Sequence, residues 1–209
     1  MGIEIMHTAK NEQVVSDNVE KESTTEIKQI AITFDDGPSL YTEELLDGLM
    51  KRNVKASFFL IGKKVEEFPD IVKREKEEGH LIGNHTYNHV DISKVSEEVA
   101  KEELGKTDQA LKKILGEGTI YVSPPFGIRQ KKLEEELDLI PVMWSIDPLD
   151  WTTENVTEIV NKVVTEADEN DIILMHDCYK SSVEAALRII DILQKKDFEF
   201  VTVEELLIR

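Results

Sequence analysis

The strongest constraint on the fold is an alternation that begins at Gln29 and continues to the end of the chain. Apolar, strand-like runs recur at Gln29–Phe34, Lys55–Ile61, His80–Asn84, Thr119–Ser123, Ile140–Ser145, Asp171–Met175 and Phe198–Thr202. Between them the apolar residues take helical spacing. Leu45, Leu46, Leu49 and Met50 share one face, and Phe68, Ile71 and Val72 another. Ser93–Leu115 is a long Glu/Lys-rich segment with Leu104, Leu111, Ile114 and Leu115 inward. Val156, Ile159, Val160, Val163, Val164 and Ala167 keep the 3.6-residue period, as do Val183, Ala186, Leu187, Ile190 and Leu193. Thr202 with Glu205 forms a capping box that opens a last short helix.

Seven strands alternating with helices predict an α/β protein with a parallel sheet covered by helices. An open doubly wound sheet and a barrel both satisfy that pattern, and the polar residues favour the barrel. Asp35 and Asp36 follow the first run, His85 the third, and Pro124, Pro125 and Phe126 the fourth. Asp147 and Asp150 follow the fifth and His176 the sixth. Every residue with useful chemistry thus stands at the C-terminal end of a strand, and in a barrel those ends meet at one mouth. The expected fold is a distorted (β/α) barrel of seven parallel strands with outer helices over residues 27–209. The polar, aromatic-free stretch 1–26 reads as a linker or disordered arm.

Charged residues make up 33% of the chain and its formal net charge is -18, which argues against nucleic acid and against anionic lipid as partners. Cys178 is the single cysteine, so no internal disulfide forms. No run approaches the roughly 18 apolar residues of a membrane span, and Met1–Lys10 lacks the signal-peptide pattern. The expectation is a monomeric domain with no membrane contact of its own. If the natural protein is exported, its signal lies outside these residues.

Asp35 and Asp36 sit where a buried strand meets the turn at Gly37-Pro38. Neighbouring side chains on a strand point opposite ways, so the two are expected to have different partners. A solvated turn would also account for an isolated Asp-Asp pair. His85 and His89 are four apart, which on one helical turn puts both imidazoles on the same face, able to share a metal ion. An isolated pair at this spacing also arises by accident on surface turns. One carboxylate from Asp35-Asp36 would complete a two-histidine, one-carboxylate set with open positions, suited to zinc and to other divalent transition ions. Cys178 beside His176 allows a thiol nucleophile, weighed against the commoner inert cysteine. His7 and His80 read as incidental, Asp177 as a structural residue closing a turn, and Asp147 as a turn or substrate residue.

Five segments together resemble the ordered motifs of the polysaccharide deacetylases, carbohydrate esterase family 4. They are Thr33-Phe34-Asp35-Asp36-Gly37-Pro38, His85-Thr86-Tyr87-Asn88-His89, Pro124-Pro125-Phe126-Gly127, Asp147-Pro148-Leu149-Asp150-Trp151 and Ile173-Leu174-Met175-His176-Asp177. The resemblance implies that Asp36, His85 and His89 hold one divalent transition ion, zinc first, with cobalt, nickel and manganese as alternatives. It implies that Asp35 is the general base, that His176 is the general acid and that Asp150 orients His176. Leu174 and Trp151 match the walls of an acetyl-methyl pocket, and the backbone N–H of Phe126 a donor to the oxyanion. Pro125 and Tyr87 are expected along the substrate groove, with Trp144 another aromatic edge. The implied reaction is hydrolysis of N-acetyl groups on glycans, with N-acetylglucosamine of peptidoglycan or chitin-like oligomers preferred. The setting would be extracellular or on a bacterial cell surface. Removal of O-acetyl groups from xylan and a non-catalytic glycan-binding module are the alternatives. One position departs from the motifs. Ser123 stands where an arginine usually pairs with the base, leaving Asp35 one positive neighbour short unless Arg129 reaches back.

Overall fold

The computed structural model describes residues 28–208; the expected arm over 1–26 and His7 lie outside them. Strands β1 (Lys28–Gly37), β2 (Ser57–Leu60), β3 (Leu81–Asn84), β4 (Tyr121–Val122), β5 (Ile140–Pro141), β6 (Ile172–His176) and β7 (Phe198–Val201) match the seven runs. Helices α1 (Thr42–Lys51), α2 (Gly62–Glu67), α3 (Pro69–Glu77), α4 (Glu97–Leu115), α5 (Lys131–Glu136), α6 (Val156–Glu166), α7 (Lys180–Gln194) and α8 (Val203–Leu207) lie between and after them. Ser96 caps α4 and Asn155 caps α6. The expected capping box at Thr202 and Glu205 opens α8.

All strand pairs are parallel, in the order β5-β4-β3-β2-β1-β6. β7 pairs with Lys28–Ala31 of β1. Because Ala31 also pairs with Ile172 of β6, β7 occupies the edge of β1 that β2 takes further along. The curl closes between β5 and β6 by a single isolated bridge, Ile146 to Ile173. The run expected as a strand over Ile140–Ser145 is therefore strand only at Ile140–Pro141. Pro141 contributes no N–H to a ladder, and the chain beyond it crosses to β6, where Ser145 N–H donates to Ile172 O at 3.0 Å. This irregular seam is what distorts the barrel.

Alternate strand positions face two different environments. Ile30, Ile32, Phe34, Phe58, Leu60, Ile173 and Met175 join the large core beneath α1, α6 and α7. The opposite parity, Ala31, Phe59, Leu81, Tyr121 and Val142, packs inside the curl together with Val203 of α8. Gly83 makes room for this plug, since a Cβ there would lie 2.2 Å from the Phe59 ring. The same inward column continues up β1 to Asp35 and up β6 through Leu174 to His176. The apolar floor thus ends where the reactive groups begin. Asp35 and His176 are register partners on adjacent strands.

Candidate active site

The strand ends open into a cleft of about 400 Å³ lined by Asp35, Asp36, His85, His89, Pro124, Phe126, Trp144, Asp147, Trp151, Leu174, His176 and Tyr179. Both carboxylates of the Asp-Asp pair reach it, contrary to the strand rule. The β1–β2 register slips between Asp35 and Gly37, and Asp36 takes φ 68°, which turns its side chain to the same side as Asp35. Among the described residues, nine non-glycine positions have positive φ, and Asp36, Thr86, His89, Phe126 and Leu149 all belong to the loops around this mouth. Each such position costs about 1–3 kcal/mol, held only because the surroundings over-determine it.

Asp36 Oδ1 lies 3.5 Å from His85 Nε2 and 3.4 Å from His89 Nε2. One ligand atom from each of the three residues falls within 4.8 Å of the others. The histidines do not share a helical turn, as their spacing predicts. They sit on an irregular loop with Thr86 at φ 61° and His89 at φ 55°. Asn84 and Glu103 hold that loop. Asn84 Oδ1 accepts from Thr86 N–H at 2.9 Å, and Asn84 Nδ2 donates to Leu104 O. Glu103 of α4 accepts from Tyr87 N–H, Asn88 N–H and Asn88 Nδ2 at 3.1, 2.7 and 2.8 Å.

The residues fit a divalent metal on three counts. Asp36 Oδ1 is buried with no hydrogen-bond partner. His85 Nδ1 donates to Ser123 O at 2.7 Å, which leaves the Nε2 lone pair facing Asp36. Burial, with His85 beside it, pushes His89 below the usual histidine range, towards the neutral form that ligates. Two imidazoles and one carboxylate are a donor set for zinc or a related transition ion.

Asp35 is buried, and Ser123 Oγ donates to its Oδ2 at 2.7 Å while Oδ1 has no partner. Burial pushes its carboxyl above the ordinary range, opposed by His85 and by the Ser123 hydrogen bond. Arg129 does not reach back. Its guanidinium pairs with Glu134, Nη2 to Oε2 at 2.7 Å. A neutral hydroxyl therefore stands in contact with Asp35 at the arginine's position.

On the neighbouring strand, His176 Nδ1 donates to Asp150 Oδ1 at 2.8 Å, and His176 N–H donates to Asp150 Oδ2 at 2.9 Å. Burial opposes charging this ring. The Asp150 hydrogen bond and charge, with Asp35 and Asp36 beyond, outweigh it and bring the imidazole up to about 9. Leu174 and Trp151 line the cleft, and the Phe126 ring packs edge-on against His89 with centroids 4.9 Å apart.

Other expected residues stand elsewhere. Pro125 is buried beneath Phe126 and does not line the cleft. Tyr87 points away from it, its hydroxyl on Glu66 at 2.8 Å and its ring under Lys106. Asp147 lines the cleft and also closes a turn by accepting from Leu149 N–H. Asp177 is wholly buried, bonded by Thr42 Oγ1 and packed on Gly37, as a structural residue. Burial raises the Cys178 thiol to about 12, which leaves it un-ionised. His80 is buried, its Nδ1 accepting from Ala56 N–H. Glu103 is a supporting residue that no sequence motif marks. Its one sequence signal is a charge on the inward stripe of α4 with Ala100, Leu104 and Thr107.

Asp35, the His176–Asp150 pair and the Asp36/His85/His89 group thus stand together at the mouth of an α/β barrel. Residues 22–142 match the family model described as polysaccharide deacetylase, and the chain belongs to that family. A Bacillus cereus peptidoglycan-N-acetylglucosamine deacetylase is 40% identical over 182 residues, covering 83% of this chain and 66% of the relative. The Listeria monocytogenes peptidoglycan-N-acetylglucosamine deacetylase PgdA is 38% identical over 180 residues, 86% of this chain and 39% of its own length. This chain thus spans less than two thirds of these relatives. The solved structure of the peptidoglycan deacetylase PdaC from Bacillus subtilis superposes with a TM-score of 0.84 at 35% identity, over 87% of this chain and 90% of that one.

Proposed function

We propose that this chain hydrolyses N-acetyl groups on N-acetylglucosamine residues of peptidoglycan, as a metal-dependent deacetylase working in the bacterial cell wall. The observation that carries the reading is the meeting of three groups in one cleft. They are the buried Asp35, the His176–Asp150 pair and the Asp36/His85/His89 set.

Asp36, His85 and His89 would hold a divalent ion, zinc first, which when bound supplies Lewis acidity towards a carbonyl and makes water more acidic. Asp35 is the general base and takes the proton of the attacking water. Its single hydrogen bond from Ser123 fixes Oδ2 and leaves Oδ1 to receive that proton. His176, protonated at neutral pH with Asp150 on Nδ1, gives a proton from Nε2 to the leaving nitrogen, which departs poorly as an amide anion. Leu174 and Trp151 receive the acetyl methyl, and the Phe126 N–H donates to the oxyanion. Nothing in this assignment uses Cys178.

Zinc-loaded protein should release acetate from N-acetylglucosamine oligomers and from peptidoglycan. Release from acetylated xylan alone would move the assignment to O-acetyl esters. Binding of the oligomers without acetate from any substrate would make the chain a glycan-binding module and end the catalytic reading.

A further inference from the structure

Asp36 is the residue left out of the β1–β2 register, in which Asp35 pairs with Phe59 and Gly37 with Leu60. A bulged residue loses its ladder partners. Its positive φ is, moreover, a conformation that a non-glycine residue keeps only when its surroundings impose it. The start of α2 supplies those surroundings. Lys64 Nζ donates to Asp36 O at 2.6 Å, and Ile61 N–H donates to Gly37 O at 3.0 Å. The next two N–H groups go to the histidine loop instead, Gly62 N–H to Thr86 O at 3.0 Å and Lys63 N–H to Tyr87 O at 3.1 Å. Both belong to the first turn, whose donors a helix leaves without internal partners, and no side chain caps α2. The close approach requires Gly62, where a Cβ would lie 2.6 Å from the Tyr87 ring and 2.5 Å from Thr107 Oγ1. Residues 61–64 thus bond both loops that carry Asp36, His85 and His89.

We propose that Lys64 is a positioning residue for the metal-ligand set. Its hydrogen bond fixes the turned main chain of Asp36 and so keeps that carboxylate aimed at His85 and His89. The proposal rests on the reading of these three residues as ligands, which belongs to the deacetylase assignment. Its ammonium meets a main-chain carbonyl rather than a carboxylate, and this gives the role a definite sign. A positive charge held beside a ligand repels a divalent ion. If Lys64 acted through its charge alone, neutralising it would tighten metal binding. Positioning predicts the reverse, because the bulge carbonyl loses its donor and the ligand its orientation. The direction of the change separates the two.

The test is the zinc affinity of the full chain, measured by competition with a chromophoric chelator. The visible absorption spectrum of the cobalt-loaded protein is recorded beside it, since it reports ligand geometry. Lys64→Met keeps the length of the side chain and removes the donor, Lys64→Ala removes both, and Lys64→Arg keeps a charged donor. Lys64→Met and Lys64→Ala, checked for folding by circular dichroism, should bind zinc about 10–100-fold more weakly and shift the cobalt bands. Lys64→Arg should restore most of both. Unchanged or tighter zinc binding by Lys64→Met and Lys64→Ala would overturn the proposal, as would Lys64→Arg binding no better than Lys64→Met. Metal-free variants that melt at lower temperature yet keep the wild-type affinity and spectrum would make Lys64 purely structural and equally overturn it. None of these readouts needs a substrate, which keeps the two readings apart. Wild-type protein that binds zinc but releases no acetate from any glycan ends the deacetylase reading, while the affinity of the variants still decides the role of Lys64.

Discussion

Ser123→Ala removes the one hydroxyl that touches the proposed base. Ser123 Oγ donates to Asp35 Oδ2 across 2.7 Å in a buried environment, and Asp35 Oδ1 has no hydrogen-bond partner among the described residues. The substitution therefore leaves an enclosed carboxylate without any side-chain donor. A hydrogen bond to a charged group is worth about 1.5–3 kcal/mol, which corresponds to a loss of about 10–150-fold in kcat/KM if it orients the ionised base. The pH dependence has a defined sign. A donor to the ionised form lowers a carboxyl pKa, so its removal raises that of Asp35 further. A base that must be ionised then works only at higher pH, and the acid limb of the rate profile moves up. The Ser123 carbonyl, which orients His85, is untouched, so metal stoichiometry by elemental analysis should hold. Ser123→Thr, which keeps a hydroxyl, should restore most of the rate. Acetate release followed across pH at saturating metal decides the matter. An unmoved acid limb at full rate would mean that Asp35 is not the base, or that Ser123 does not hold it.

Four further outcomes are expected. His85→Ala should abolish stoichiometric metal binding and turnover together; metal retained at one ion per chain by elemental analysis would place the site elsewhere. Asp150→Asn deletes the charge that carries His176 to about 9, so the imidazole should titrate lower by NMR and turnover should fall most on the alkaline side. Glu103→Ala strands three donors of the 85–89 loop and should weaken metal affinity by about 10–100-fold while the barrel core still melts cooperatively. Glu75 of α3 is wholly buried with neither carboxyl oxygen partnered, and burial, with Asp177 beyond, holds it well above the usual range. The folded state binds that proton more tightly than the unfolded chain, so this stability is present at acid pH and is lost as pH rises towards the folded value. Glu75→Gln should flatten that decline in denaturant titrations; an identical slope would show Glu75 to be uninvolved.

The fold was legible because its signals are periodic and local. Strand positions alternate and helix faces repeat every 3.6 residues, so each buried stripe announces its element without reference to the rest. What escaped was the seam at Pro141–Ile146. Its residues are apolar enough for a strand, but the path is set by where β6 lies, thirty residues away in sequence. No local pattern encodes that crossing. The strand rule for Asp35 and Asp36 failed for a related reason. The left-handed residue at 36 is set by tertiary context, and with the register slip beside it turns both carboxylates into one cleft.

The site divides along the same physical line. Groups that enter the cleft, Asp35, Asp36, His85, His89 and His176, were visible because reactive side chains at strand ends are few and their spacing is distinctive, and so was Asp150, buried behind His176. The other groups that aim them were not, because a supporting hydrogen bond can come from any element and often from the main chain. His85 is oriented by a carbonyl, that of Ser123, which no residue identity reveals. The loop geometry that brings His89 to Asp36 depends on Glu103, fifteen residues from the nearer backbone donor and on another element. The Ser123 hydroxyl bonds the proposed base Asp35, and its carbonyl, which any residue there would supply, accepts from Nδ1 of the proposed ligand His85. Ser123 therefore touches both the proposed base and a proposed metal ligand. Moving the Ser123 main chain should disturb both together, whereas deleting only its hydroxyl should disturb the base alone.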